Sequence, residues 1–455
     1  MTTITSQPAE ASSSKLERDA QLVSADRGRI APGEIALGVI IGRTSEFFDF
    51  FVFAIATVLV FPKHVFPFAE PLTGTLYSFG LFALAFVARP FGSVIFMEID
   101  RRHGRGVKLT IALFLLGTST CLIAFLPGYD RIGTWSIVLL AICRIGQGIA
   151  LGGAWDGLSS LLALNAPESR RGWFAMLPQL GAPIGFMLAS ALFAFFIGNL
   201  SPEDFIGWGW RYPFFVAFTI NVVALFARLR LVATEEFRQL LEADELEPEP
   251  VLATIRAHGR TILFGAFVPL ASYALFHLVT VFPISWITLF TDRAVSEFLM
   301  VQFAGAAIAA GAVVASGLIA DQIGRRATIA LAAAMIGLFA IGSILAPLLF
   351  GDSMAGQTIY VVVGFALLGL AYGQTSGAIA ANFGTTYRYT GSALTSDLAW
   401  LFGAAFAPLV ALSASSQLGL PWVGVYLLSG AVCTLVALAL SRREDDGRIW
   451  RSGPA

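Results

Sequence analysis

Several ionisable side chains sit in stretches of sequence that offer them almost nothing polar. Arg43, Glu46 and Asp49 recur at intervals of three, Arg89 and Arg144 stand alone in long apolar runs, and Asp397 lies just before Trp400 in another. A charge at the centre of an apolar span costs on the order of 2.5–3.5 kcal/mol or more unless it is paired or hydrated, so each marks a candidate pathway. Spacing by three places Arg43, Glu46 and Asp49 along one side of a helix, where Arg43 can partner Glu46 and the face is expected to look into a cavity. Glu46 and Asp49 are the leading candidates to bind protons, because burial raises a carboxyl pKa and a nearby Arg lowers it. Arg89 and Arg144 carry planar donor forks suited to a carboxylate. Such forks also suit them to counterbalance the acids of the first segment. If Arg89 holds a ligand, an anionic one is favoured; if it is locked permanently to an internal Asp, the ligand can be neutral or zwitterionic. Arg144 reads better as a coupling or helix-pairing residue. Tyr273 and His277, four apart on one helical face, add a hydroxyl and a titratable imidazole. With Arg43, Arg89 and Asp397 they form the candidate ligand-binding set. A purely structural ion-pair network accounts for the same spacings.

The elements that must hold these groups are helices in a membrane. The 455 residues are 56% hydrophobic and 13% charged, with mean hydropathy +0.76, which is too apolar for a soluble multidomain chain. A hydrocarbon core about 30 Å thick needs roughly 20 apolar residues per helix. Twelve such segments are predicted, at 35–61, 72–96, 109–126, 134–162, 174–199, 210–227, 261–290, 297–320, 327–350, 357–383, 389–414 and 420–440. Trp208 and Trp210, at the start of one, are expected as anchors at the membrane interface. Pro183 and Pro283 are expected to break their helices locally, and Gly148, Gly152 and Gly153 to allow close helix approach.

Lys and Arg accumulate on the cytoplasmic side of membrane proteins. With both termini inside, only Lys63, Arg131, Arg211 and Arg293 of the 29 basic residues fall outside, and Arg43, Arg89 and Arg144 fall within spans. The longest internal hydrophilic segment, 228–260, divides the helices six and six. The expected organisation is a cytoplasmic disordered tail (1–34), a six-helix bundle (35–227), a cytoplasmic linker (228–260), a second six-helix bundle (261–440) and a cytoplasmic tail (441–455). The first tail lacks the apolar stretch of a secretory signal. Gly104-Arg105 and Gly324-Arg325 each follow the second helix of their half, a sign of duplication. Repeats of this kind commonly place a substrate site between the halves near the bilayer midplane. Cys121, Cys143 and Cys433 all fall inside predicted helices and read as small apolar residues. The sequence offers no metal-ligand spacing, no nucleotide loop and no nucleophile-base motif, so neither a cofactor nor an enzyme is expected. A net charge of -1 with dispersed basic residues speaks against a nucleic-acid partner.

The turn Gly317-Leu318-Ile319-Ala320-Asp321-Gln322-Ile323-Gly324-Arg325-Arg326 resembles the signature loop of the major facilitator superfamily. There an Asp accepting helix-end amides and pairing with Arg, beside a turn glycine, would form a cytoplasmic gate. Glu46-Phe47-Phe48-Asp49-Phe50, Arg89-Pro90 with Gly92, and Arg144, Gln147, Gly148, Gly152 and Gly153 are similar to segments of the metabolite:proton symporters within that superfamily. So are Pro178-Gln179-Leu180-Gly181, Trp208-Gly209-Trp210-Arg211-Tyr212-Pro213-Phe214 and Arg388-Tyr389-Thr390-Gly391. The resemblance spans nearly the whole chain and implies an all-α membrane protein with twelve transmembrane helices in two six-helix bundles. It also implies a monomer in a bacterial inner membrane that moves a small organic acid or zwitterionic metabolite with protons. Three positions depart from the family pattern. Residue 97 is Met where the family has Gly. In the first-half turn, aligned on Gly104-Arg105, the gate Asp becomes Arg101 with Asp100 displaced by one. In the fourth helix the usual acid is Ala154, and Asp156, two residues on, points about 200° away. The last two departures leave an uncoupled facilitator as an alternative, and Gly181, Pro183 and Gly185 leave an exporter or antiporter. A membrane substrate sensor is a further one.

Overall fold

The computed structural model describes residues 32–154, 166–232, 248–346, 353–380, 383 and 385–449, and every regular element among them is helical. We label the long helices α1 (Pro32–Leu59), α2 (Pro71–His103), α3 (Arg105–Ala124), α4 (Trp135–Ala154), α5 (Arg171–Asn199) and α6 (Arg211–Val232). The second set is α7 (Leu270–Phe290), α8 (Val295–Ile323), α9 (Arg325–Leu345), α10 (Met354–Ile379), α11 (Thr386–Leu418) and α12 (Pro421–Leu440). Among the described residues eleven helices are long and apolar enough to cross a membrane, each with few charges. The helix missing from that set is α1, because any window long enough to span contains Arg43, Glu46 and Asp49. The element with the strongest chemistry is therefore the one with the weakest membrane signature.

The two basic turns that suggested duplication have nearly the same backbone. Gly104 ends α2 at φ 82° and ψ 166°, and Gly324 ends α8 at φ 86° and ψ 149°; in each the glycine N–H donates to the carbonyl four residues back. A positive φ favours glycine, which is why both turns carry it before the following Arg.

Proline does not break the helices where expected. Pro283 lies inside an unbroken α7, and Pro183 is the third residue of the α-helical part of α5, where a helix has N–H groups without intrahelical partners. The irregular backbone lies elsewhere: a 3-10 turn at Leu177–Leu180, a bend near Gly373 in α10, and a break in α11 where the amides of Ala404 and Ala405 both donate to the Trp400 carbonyl at 3.0 Å. The two tryptophans expected at the interface differ in exposure. Trp208 is partly exposed, whereas Trp210 is fully buried against Phe61, His64 and Phe214, with its indole N–H donating to Ile206. Large apolar side chains such as Phe91, Phe114 and Leu338 are uncovered by protein, as residues facing lipid are.

The bundles meet along α1 with α7, α2 with α11, and α5 with α8. Aromatic rings fill the seam: Phe51 stacks on Phe276 with centroids 5.3 Å apart, and Phe186 meets Phe365 at 5.5 Å. Within the first bundle glycines bring α2 and α4 backbone to backbone. A Cβ on Gly92 would run into Ile149, one on Gly148 into Ala85, and one on Gly152 into the Arg89 carbonyl. This contact fixes Arg89 and Arg144 in one rigid wall.

Candidate functional site

A cavity with about 540 Å³ of space free of protein atoms lies between the bundles. Its wall is Arg43, Glu46, Phe47 and Phe50 from α1, Ala85, Phe86 and Arg89 from α2, Arg144 and Leu151 from α4, and Trp400 from α11. A second chamber of about 420 Å³ adjoins it and shares Arg43, Arg89 and Trp400. Two guanidinium groups and one indole thus form the partition between an aromatic space and a polar one.

On α1 the pair inferred from spacing is present: Arg43 Nη1 donates to Glu46 Oε2 at 2.5 Å, and the Arg43 guanidinium lies over the Phe47 ring. Asp49 does not share that face. Six residues are well short of two full turns, so Asp49 is rotated away from Arg43 and into the first bundle. There it accepts from Thr120 Oγ1 at 2.6 Å and from Gln147 Nε2 at 3.4 Å, and it is not part of the cavity wall. Gln147 is in turn held by Arg144 Nη1 at 3.1 Å, so Asp49, Thr120, Gln147 and Arg144 form one buried chain of hydrogen bonds behind Glu46. Arg144 also donates from Nε to the Phe82 carbonyl, and its Cζ lies 4.1 Å from the Phe53 centroid, a cation-π contact. Its Nη2 has no hydrogen-bond partner among the described residues.

Arg89 does not pair with the first-helix acids in this conformation. It crosses to the other bundle, where Nε donates to Asp397 Oδ1 at 2.7 Å, and Ser93 one turn further along α2 donates to Asp397 Oδ2. Asp397 is 1% exposed, so a carboxylate of α11 is enclosed by two donors of α2. Trp400, one turn further along α11, carries Tyr273 of α7 in a stack of 4.3 Å and lies beneath the Arg89 guanidinium. Tyr273 lines the polar chamber. His277 is not on either wall: it is fully buried among Phe50, Phe82 and Phe86, and neither ring nitrogen has a partner among the described residues. The expected face of α7 therefore splits, with its tyrosine at the chamber and its histidine in the aromatic seam.

At the end of the molecule marked by Gly104 and Gly324 the bundles are tied twice. Asp321 of α8 accepts from the backbone N–H of Gly172 at 2.7 Å and of Trp173 at 3.3 Å, capping the first turn of α5. Gly317 and Gly172 make that approach possible, since a Cβ on Gly172 would lie 2.7 Å from the Gly317 carbonyl. Arg325 donates to the Gly377 carbonyl at 3.0 Å and Arg326 to Leu438, both within the second bundle. The other tie is centred on Asp100. Its carboxylate pairs with Arg105 at 3.0 Å and Lys108 at 3.5 Å, and Tyr389 of α11 inserts between them, accepting from Lys108 at 2.6 Å and donating to Asp100 at 3.2 Å. Arg101, aligned with the family's gate Asp, has no part in this: its exposed side chain pairs with Glu98 on its own helix at 3.0 Å. The displaced acid is the one that faces inward. Asp156 lies outside the described residues. Lys108, Ser93 and Thr120 carry no distinguishing signal in the sequence. Lys108 reads as one more basic residue of a turn, and the others are polar side chains that any helix tolerates.

A pair of helical bundles of like topology with charges enclosed at their seam defines a transporter of the major facilitator type rather than an enzyme. The Major Facilitator Superfamily profile matches residues 39–408, and the chain belongs to that family. Among its relatives, the "Inner membrane metabolite transport protein YhjE" of Escherichia coli (strain K12) is 36% identical over 90% of this chain and 93% of its own length. The "Shikimate transporter" of the same organism is 28% identical, covering 91% of this chain and 94% of the relative. The solved proton:xylose symporter XylE, bound to 6-bromo-6-deoxy-D-glucose, superposes with a TM-score of 0.66 at 16% identity, over 90% of this chain and 95% of that one. That likeness concerns the fold.

Proposed function

We propose that this chain carries a small organic acid together with protons across a bacterial inner membrane, by alternating access between its two bundles. The observation that carries the reading is the partition of the central cavity: Arg43 and Arg89, each with a carboxylate partner, beside the rings of Phe47, Phe50, Phe86 and Trp400. Relatives named for metabolite and shikimate transport support a small metabolite as cargo.

Glu46 and Arg43 supply a coupling device of simple charge balance. While Glu46 is ionised it holds Arg43, and the cavity has no fork free on that side. Once Glu46 takes a proton its hold on Arg43 weakens, and a substrate carboxylate can take its place on the guanidinium. One proton and one monoanion then cross without net charge. Asp49, held by Thr120 and Gln147, is the second proton-binding candidate, and Arg144 transmits its state to the cavity wall through Gln147. With both termini cytoplasmic, the ties at Asp321 and Tyr389 are a closed cytoplasmic gate. A single chain supplies both bundles and both walls, so the monomer is the transporting unit.

The test is uptake by purified protein in vesicles, using labelled, membrane-impermeant carboxylates with and without an inward proton gradient. The gradient is expected to drive accumulation. In Glu46→Gln that accumulation is lost while exchange of labelled for unlabelled substrate persists. Normal accumulation by both Glu46→Gln and Asp49→Asn overturns the proton assignment.

A further inference from the structure

The chamber on the far side of the Arg43 and Arg89 partition differs in kind from the aromatic one. Three side chains on three separate elements point polar atoms at it without partners among the described residues: the Gln179 amide oxygen from the 3-10 turn of α5, Ser376 Oγ from α10 and Ser392 Oγ from α11. Gln179 is 3% exposed and Ser392 is 2% exposed, so bulk solvent does not satisfy them. Native interiors leave few polar groups unpaired, because each forfeits its hydration without compensation. Three around one space, contributed by both bundles, describe a surface complementary to something that is itself polar. The chemistry of that partner follows from the atoms. The Gln179 oxygen requires a donor, and each serine hydroxyl both donates and accepts. A substrate hydroxyl meets both demands; a second carboxylate offers Gln179 no proton, and an alkyl group satisfies none of them.

We infer that this chamber is a hydroxyl-reading subsite, and that the substrate is a hydroxylated carboxylic acid whose carboxylate is held at Arg43 and Arg89 while its hydroxyls face Gln179, Ser376 and Ser392. The inference rests on the organic-acid reading above and narrows it. An acid whose body is apolar would instead turn toward the Phe47, Phe50 and Phe86 side of the partition, so both orientations exist and the hydroxyls decide between them.

Calorimetric titration of the detergent-solubilised full chain with matched pairs tests this directly: gluconate against hexanoate, and trihydroxycyclohexanecarboxylate against cyclohexanecarboxylate. The hydroxylated member of at least one pair is expected to bind about tenfold more tightly, the effect of one or two well-made hydrogen bonds. In Gln179→Met and, independently, in the milder Ser392→Ala, the ratio within that pair falls toward one. Size-exclusion profile and melting temperature identify any variant that fails to fold, and Ser392→Ala keeps the test alive should Gln179→Met fail. If carboxylates bind with no hydroxyl preference, or if the preference survives in folded variants, the subsite is overturned and the chamber holds water only. If no carboxylate of either kind binds, the organic-acid reading fails, and the subsite with it.

Discussion

Replacing Asp321 by Asn removes a charge from the tie between α8 and α5 while keeping the shape of the side chain. In the structure one carboxylate oxygen accepts from Gly172 at 2.7 Å, and both oxygens share the Trp173 amide at 3.3 Å. The first contact is a short charge-assisted hydrogen bond, of about 1.5–3 kcal/mol, and the carboxylate also sits at a helix N-terminus, a favourable position of about 0.3–1 kcal/mol. Asparagine keeps one acceptor oxygen and retains about half of the first contribution as a neutral bond. The net loss is then about 1.5 kcal/mol, which corresponds to roughly a tenfold shift from the closed toward the open gate. Spin labels at Arg101→Cys and Gln322→Cys, both exposed at this end and on opposite bundles, report the opening as a longer distance in double electron-electron resonance. The background has Cys121, Cys143 and Cys433 replaced. The long-distance population is expected to rise about tenfold relative to the short one, and further in Asp321→Ala. A distance distribution unchanged in both variants, with only a lower melting temperature, refutes the gate and leaves Asp321 a helix cap.

Two other outcomes follow from the same contacts. Tyr389→Phe removes the hydroxyl that links Lys108 to Asp100, so it should shift the same spin-label distances in the same direction, by less than Asp321→Ala because the ring at 389 still lies 4.5 Å from the Arg105 guanidinium across the seam. Asp397→Asn leaves a largely buried Arg89 facing a neutral partner and should lower the melting temperature as a loss of about 3–5 kcal/mol would; the double variant Arg89→Met with Asp397→Met should recover much of it. No recovery in the double variant means that the destabilisation comes from packing.

Much of the architecture is legible in residue order because the membrane imposes it. Long apolar runs fix the helices, and the glycines before Arg105 and Arg325 mark two turns whose backbone angles agree closely. The Arg43 and Glu46 pair is equally legible, because residues three apart on a helix have nowhere else to go. Asp49 shows the limit of that rule. Each step of three turns a helix by 300°, so the deviation doubles by the third residue, and the last acid leaves the face on which the first two lie. Trp210 fails for a related reason. Its neighbour Trp208 sits two residues earlier, on nearly the opposite side of the helix, and a dipeptide pattern cannot assign one to the surface and the other to the interior.

The partners of Arg89 and Lys108 belong to another order of difficulty. Arg89 and Asp397 are separated by 308 residues, and Lys108 and Tyr389 by 281. Composition identifies Arg89 and Asp397 as misplaced in lipid and leaves Lys108 among the basic residues of a turn, and nothing local says which group answers which. The pairing depends on how two bundles dock, and docking depends on side chains with no charge at all: the glycines that let α2 rest on α4, and those that let α5 rest on α8. A Cβ at Gly152 would push directly on the Arg89 carbonyl, and one at Gly172 on Ala320 beside Asp321. The geometry of the charged site is therefore set by residues that cannot themselves take part in its chemistry, and a search for charges alone finds the reactive groups without finding their partners.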